Sequence, residues 1–378
     1  MLLYNNAPLM RELIEEMDYM IRIMDEDHNV IYMNKKMSEV FGHTLGHICY
    51  SLLGREEKCE HCVTEETKET GEKDTKHIPI GDRYYDLISS PPVSTVNGKN
   101  YSIELLHDIT DEKKTEDELL KHYEKLKADI EFAKHIQERA LPIDGVCWDT
   151  IEINSDYLPS EDLGGDLFDV IKMNDSESLI YIADVSGHGI TSSLLTIFLR
   201  QVVRGRTGET KVDLKEILEL LQKSYNELGV DKEQYLTILF CLYNKEKREA
   251  TFLNAGHNCM PVLIKNTGEV REIKVKGMPV CSLMKVTPRE EVTVPVESGD
   301  RIILYTDGIM EACSGELAPR DLRQNGLDEY DMKSVLKIIE ENKDLGGKAL
   351  AEKVVGEAEA CVGRPVPDDM AILVTKLI

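Results

Sequence analysis

The 378-residue chain contains no run approaching the roughly 20 consecutive apolar residues that a membrane-spanning helix requires. Membrane insertion is therefore not expected. An excess of positive charge is missing too, since 45 Lys and Arg stand against 70 Asp and Glu, for a net charge of −25. That balance argues against nucleic acid or anionic lipid as partners through general electrostatics. The opening segment, MLLYNNAPLMRELIEEMDYM, lacks a positively charged start followed by a continuous apolar run, so it does not read as a secretion signal. Nine cysteines, an odd number spread along the chain, do not suggest a disulfide framework, and a reducing cytoplasm is the expected setting. Internal repeats and low-complexity tracts are likewise absent.

What is present suits a globular protein of two or three domains, with 42% hydrophobic and 30% charged residues. In the first 110 residues, short apolar runs at Tyr19 to Met24 and Val30 to Met33 flank the turn-like DEDHN. A helical stretch near Lys35 to Phe41 follows, then strand-like runs at His77 to Ile80, Tyr84 to Ser89 and Tyr101 to Leu106. The order MDEDHNVIYMNKKMSEVFG, then strands, then a terminal DIT followed by a charged helix resembles a PAS sensor domain. Residues 1–110 are accordingly expected to form a PAS-like α/β sensor. Within it, GHICYSLLGREEKCEHC brings together Cys49, Cys59 and Cys62, with His47 and His61 nearby. Three thiols, two in C-x-x-C spacing, suit zinc or an iron–sulfur cluster. A redox-active pair and simple buried cysteines are the other readings.

No Gly or Pro occurs from Asp111 to Ala140, and Leu119, Tyr123, Leu126, Ile130, Ala133, Gln137 and Ala140 alternate in steps of four and three. That seam predicts a linker helix over 111–142, ended by Pro142, that forms a coiled coil and pairs two copies of the chain. An amphipathic helix lying on a single domain is the alternative. From 143 to 378 strand-like runs such as SLIYIAD, YLTILFCLY and RIILYTDG mix with helical candidates at Ile190 to Arg204, Val212 to Leu228, Asp331 to Glu340 and Gly347 to Cys361. The fold class expected is α+β.

Acidic residues stand beside glycine or at the ends of apolar runs in four places: LGGDLFD with Asp166, IADVSGHG with Asp184, LYTDGIME with Asp307, and PDDMAILV with Asp368 and Asp369. A strand ending in Asp presents its carboxylate at a sheet rim, and adjacent glycine lets carbonyl oxygens approach a cation. Hard oxygen donors favour magnesium or manganese over zinc. Each motif alone is weak, because Asp-Gly is more often a turn.

Taken together and in this order, the motifs resemble the metal-dependent protein phosphatases of the 2C type, in the bacterial branch of sporulation and stress-response phosphatases. The resemblance starts at AKHIQERALP, residues 133–142, and continues through NAGHN, residues 254–258, to the chain end. It implies an α-β-β-α sandwich over 143–378 with two manganese or magnesium ions at one end. Asp184 would bridge the metals, with the Val185 carbonyl assisting; Asp307 and Asp368 would hold the second metal, and Asp166 would support the centre. Paired cations of this kind activate water for in-line attack on a phosphate ester. His188 stands either as a proton donor to the leaving group or as a residue that only packs or caps the next helix. Asn254 and His257 are read as braces of the metal loops or as substrate contacts. The wider superfamily carries a phosphate-gripping arginine before the first acidic motif, whereas DYLPSEDLGGD has none.

The implied activity is a signal-regulated serine/threonine phosphatase acting on a phosphorylated bacterial regulator, an anti-sigma-factor antagonist by the resemblance. A hydrolase of small phosphoesters or nucleotides and a catalytically silent sensor scaffold are the competing readings. Sensor, linker and phosphatase in series suggest a switch, with the helices after the Asp184 loop as receivers.

Overall fold

The computed structural model describes residues 6–94, 98–187, 189–208, 212–231, 233–282, 290–313 and 329–378. The chain divides into two compact units, Met1–Lys125 and Leu126–Ile378, and the division falls inside one long helix.

In the first unit, α1 (Ala7–Glu15) precedes β1 (Met20–Met24) and β2 (Val30–Met33), and α2 (Lys35–Phe41) follows. The β1–β2 turn is built by Asp25, whose carboxylate accepts from the amides of Asp27 and Asn29 and from the Asn29 side chain. Asn34 then caps α2, accepting from the Met37 amide at 3.0 Å, while it also accepts from the Ile21 amide. A short 3-10 turn (Cys49–Leu53) and α3 (Val63–Thr70) lead to β3 (Asp74–Ile80), β4 (Arg83–Ser89), β5 (Val93–Ser94) and β6 (Asn100–Asp108). The strands form one antiparallel sheet ordered β2-β1-β6-β4-β3, with β5 added to β6. Methionines 20, 33 and 37 pack with Val63, Ile78, Tyr85, Leu87 and Leu106 in its core.

The helix α4 spans Thr110–Ala140 without interruption, as its lack of Gly and Pro requires. Its apolar seam is divided. Leu119 and Tyr123 are 69% and 61% exposed and Leu126 is exposed, Ile130 and Ala133 are half-buried, and Gln137 and Ala140 are buried.

The second unit contains β7 (Gly145–Cys147), β8 (Ile151–Leu158), β9 (Asp166–Lys172) and β10 (Glu177–Val185), then α5 (Ile190–Arg204) and α6 (Leu214–Leu228). Strands β11 (Tyr235–Asn244), β12 (Glu249–Ala255), β13 (Val262–Ile264), β14 (Val270–Glu272), β15 (Val280–Cys281), β16 (Glu291–Pro295) and β17 (Arg301–Tyr305) come next. The chain ends with α7 (Asp307–Cys313), α8 (Glu329–Glu341), α9 (Gly347–Val362) and β18 (Met370–Leu377). One sheet runs β16-β12-β11-β10-β9 with β15 on β11; the other runs β14-β13-β17-β18-β8-β7.

The near-continuous apolar runs arise because both faces of the central strands are covered. In β10, Ile180 and Ile182 face the other sheet and pack with Leu304 and Leu373. Their neighbours Leu179, Tyr181 and Ala183 face the opposite way, against Leu199, Leu218 and Tyr225 of α5 and α6. The second sheet is covered by α7, α8 and α9 through Ile309, Val335 and Val354. The layers are therefore helix, sheet, sheet, helix, as expected for 143–378. No helix of the described residues is long and apolar enough to cross a membrane.

Candidate active site

Antiparallel pairing places two of the acids opposite one another: Asp166 opens β9, Asp184 lies at the end of β10, and their Cα positions are register partners. In the second sheet β17 ends at Tyr305, and Asp307 begins α7. Asp368 and Asp369 immediately precede β18, which runs antiparallel to β17. Only Asp184 lies at a strand end, while Asp166 starts a strand, Asp307 starts a helix and Asp368 sits in a connection. An antiparallel rim collects strand starts and strand ends alike, so all four motifs still meet.

Asp369 joins the two sheets. Its Oδ2 accepts from the Gly165 amide at 2.5 Å, and its Oδ1 accepts from the Ser160 amide and hydroxyl at 2.7 and 2.8 Å. The neighbouring Asp368 accepts from the Asp369 amide at 2.9 Å. Glycine is required where the rim is tight. A Cβ on Gly308 would lie 2.0 Å from the Asp369 carbonyl oxygen, and one on Gly165 would lie 2.8 Å from that of Val185 and 3.1 Å from that of Gly187. The Asp-Gly of LYTDGIME is therefore a close backbone crossing at a helix start, not a turn.

The electrostatics of the rim are unbalanced. Asp166 is 2% exposed, and its Oδ2 is buried without a hydrogen-bond partner. Burial first, then the charges of Asp184, Asp369 and Asp307, push its carboxyl well above the usual carboxylate range, with the Thr306 hydroxyl opposing. An orphaned buried carboxylate oxygen among further carboxylates, beside the carbonyls of Val185 and Gly187, is a donor set suited to hard divalent cations. Among the described residues, no three carboxylate, imidazole or thiol side chains are gathered tightly enough to ligate one ion directly. Magnesium commonly keeps several waters and takes one or two carboxylates, so the oxygen-only set fits water-filled coordination.

His257 ties the sheets together beneath this rim. Its Nε2–H donates to the Tyr305 carbonyl at 3.0 Å, and its Nδ1 lies 3.3 Å from the Thr237 hydroxyl, which leaves the ring as an acceptor there. Asn254 holds the turn, donating to the carbonyls of His257 and Val275 and accepting from the His257 amide at 2.7 Å. Burial lowers the His257 pKa, so the ring is neutral at neutral pH. NAGHN is thus a brace between β11 and β17, with its polar groups engaged by protein.

Several contributors carry no sequence signal of their own. The Gln137 side chain donates to the Gly164 carbonyl at 2.7 Å and accepts from its amide at 3.2 Å, clamping the loop that leads into Asp166. Tyr157 brings a buried hydroxyl without a hydrogen-bond partner to the same place, where a Cβ on Gly164 would collide with it. Arg204 makes a two-pronged ion pair with the fully buried Asp169, fixing α5 to β9. His188 lies outside the described residues. Cys49, Cys59 and Cys62 belong to the other unit, where with Arg22, Arg55 and Glu104 they line a cavity of about 120 Å³. They are neighbours there without the ligating geometry that the zinc or iron–sulfur reading needs. All nine cysteines are free of disulfides.

A family model described as Stage II sporulation protein E (SpoIIE) matches residues 174–378. Phosphoserine phosphatase RsbU of Bacillus subtilis (strain 168) is 24% identical over 255 residues, covering 67% of this chain and 71% of that protein. Phosphoserine phosphatase RsbP of the same organism is 26% identical over 187 residues, which span 49% of this chain and 46% of that protein. Among solved structures, the SiaA-PP2C domain of Pseudomonas aeruginosa superposes with a TM-score of 0.53 at 18% identity, over 68% of this chain and 98% of that one. This last likeness speaks for the fold.

Proposed function

The chain belongs to the stage II sporulation protein E family, and on that premise we propose that it is a metal-dependent serine/threonine protein phosphatase acting on a phosphorylated regulatory protein. The observation that carries the reading is the convergence of Asp166, Asp184, Asp307 and Asp368 motifs at one rim, with a buried Asp166 oxygen left unpartnered. Asp184 with the Val185 carbonyl, Asp307 and Asp368 would hold two manganese or magnesium ions, supported by Asp166; bound there, such ions activate water and neutralise phosphoryl charge. The chain's own residues do the rest. Asp369 pins the Asp166 loop to the second sheet, Asn254 and His257 hold the two strand ends in register, and the buried neutral imidazole keeps a positive charge out of a cation site.

The names of the two curated relatives support phosphoserine as the scissile group, and the resemblance supports an anti-sigma-factor antagonist as the carrier. The PAS-like reading of residues 1–110 makes the first unit a sensor, and the exposed Leu119, Tyr123 and Leu126 suit pairing of two linker helices. Gln137, at the far end of the same helix, is placed to report its position to the Asp166 loop.

Phosphate release from phosphorylated candidate regulators, a phosphoserine peptide and nucleotides, each with manganese, tests substrate class. Turnover confined to nucleotides would replace this reading with a small-phosphoester hydrolase. The same assay with a chain lacking residues 1–110 tests control: equal rates and equal dependence on partner or signal would remove the switch.

A further inference from the structure

The end of the sandwich opposite the acidic rim carries the opposite charge. Strand β17 runs from Arg301 toward Asp307, and β18 runs away from Asp368 toward Lys376, so Arg301 and Lys376 mark the far ends of both. There a cavity of about 340 Å³ is lined by Lys265, Arg301, Lys343 and Lys376, with the carboxylates of Glu152 and Asp344 and the start of α9 at Gly346 and Gly347. We infer that this cavity binds a small phosphate-bearing molecule at a second site, distinct from the acidic rim.

Two observations converge on an anion. First, the described hydrogen bonds of two of the cations go to carbonyl oxygens and do not neutralise them. Lys343 Nζ donates to the Gly268 carbonyl at 2.8 Å, and the Arg301 guanidinium donates to the carbonyls of Leu345, at 2.8 Å, and Lys343. Lys265 pairs with Asp300 at 2.7 Å, and Lys376 approaches Glu152 at 3.7 Å. Counting Asp300, four cations meet three carboxylates, a local positive excess on a chain of net charge −25. Second, α9 is a 16-residue helix whose first turn has no acidic residue and whose cap, Gly346, supplies no side-chain acceptor. Its leading amides and dipole present positive potential to the cavity. A helix start with lysines and an arginine around it suits a tetrahedral oxyanion. The cavity exceeds the needs of inorganic phosphate alone and suits a phosphomonoester.

The test uses full-length Asp184→Asn protein freed of divalent metal, so that the acidic rim does not take up phosphate. Inorganic phosphate, glycerol phosphate and pyrophosphate are titrated at fixed ionic strength and followed by calorimetry and phosphorus NMR line width. Saturable binding at one site per chain is expected, weakened about tenfold or more by Lys343→Gln and by Lys376→Gln and unchanged by the remote Lys247→Gln. Tighter binding of glycerol phosphate than of inorganic phosphate would identify an ester as the natural class, and the reverse order would identify free phosphate. Lys376 is half-exposed and not packed in a core, so its variant remains informative if Lys343→Gln disturbs the α8–α9 connection. Absence of saturable binding, or binding indifferent to both substitutions, overturns the proposal.

Discussion

Buried charge is handled in opposite ways in the two units. In the first, Arg22 and Glu104 are each 2% exposed and satisfy one another: Arg22 Nε donates to Glu104 at 2.7 Å, its Nη1 donates to the Cys49 carbonyl at 3.1 Å, and the Thr64 hydroxyl takes the remaining carboxylate oxygen. In the second, Asp166 is equally buried but meets further carboxylates, and one oxygen has no partner. A closed pair fixes a core; an open acid cluster is incomplete and calls for a cation. The completeness of the hydrogen bonding, more than burial itself, separates a structural charge from a functional one.

The largest effect expected is at the open cluster. Asp184→Asn or Asp307→Asn should lower manganese-dependent phosphate release about a thousandfold or more, from loss of some 4 kcal/mol of transition-state stabilisation, with an unchanged circular dichroism spectrum. Retained turnover would erase the contrast between the two regions. At the closed pair, Arg22→Ala should destabilise the first unit by about 3–5 kcal/mol in urea melts, because Glu104 is left buried and alone. The double variant Arg22→Met, Glu104→Leu should recover most of that loss; if it does not, the pair does more than balance charge.

A smaller effect is expected at the brace. His257→Ala should reduce turnover about 10–100-fold through misplacement of the β11 and β17 ends, and it should raise the manganese concentration needed for half-maximal activity. A change in substrate KM alone would instead make His257 a substrate contact. The smallest effect concerns Cys49, whose thiol is pushed up to about 12, chiefly by burial. Its folded pKa is raised, so the protonated form contributes stability below the ordinary thiol value of 9.0, and that contribution is lost as pH rises toward about 12. Near pH 8, iodoacetamide should label the exposed Cys361 well before Cys49, read by peptide mass spectrometry.

Much of the secondary structure was legible because it rests on local pattern. The runs at Val30–Met33, Lys35–Phe41 and Ile190–Arg204 have the ends that the sequence suggests, since caps and period are local features. The strand read through RIILYTDG stops earlier, at Tyr305, because Asp307 opens a helix that packs under α9. Short strands such as Val262–Ile264 and Val280–Cys281 are too brief to show a period in the sequence. At the site, the acids beside glycine stood out, whereas Gln137, Tyr157 and Thr306 did not. Gln137 acts on Gly164, 27 positions away, Thr306 acts on Ala371, 65 positions away, and Tyr157 matters through the acids Asp369 and Asp166 beside it.

By itself the sequence determined the materials: an acidic chain, a long uninterrupted linker helix, buried strands and four aspartate motifs placed beside glycines or apolar runs. Propensity, capping and periodicity act over a few residues and can be read without a fold. Only the tertiary structure decided which of Asp368 and Asp369 is spent on joining the sheets, that His257 braces two strands, and that cations gather at the far end of the same sandwich. Those outcomes depend on antiparallel register between strands far apart in the chain, and register is a property of the packed sheets as a whole.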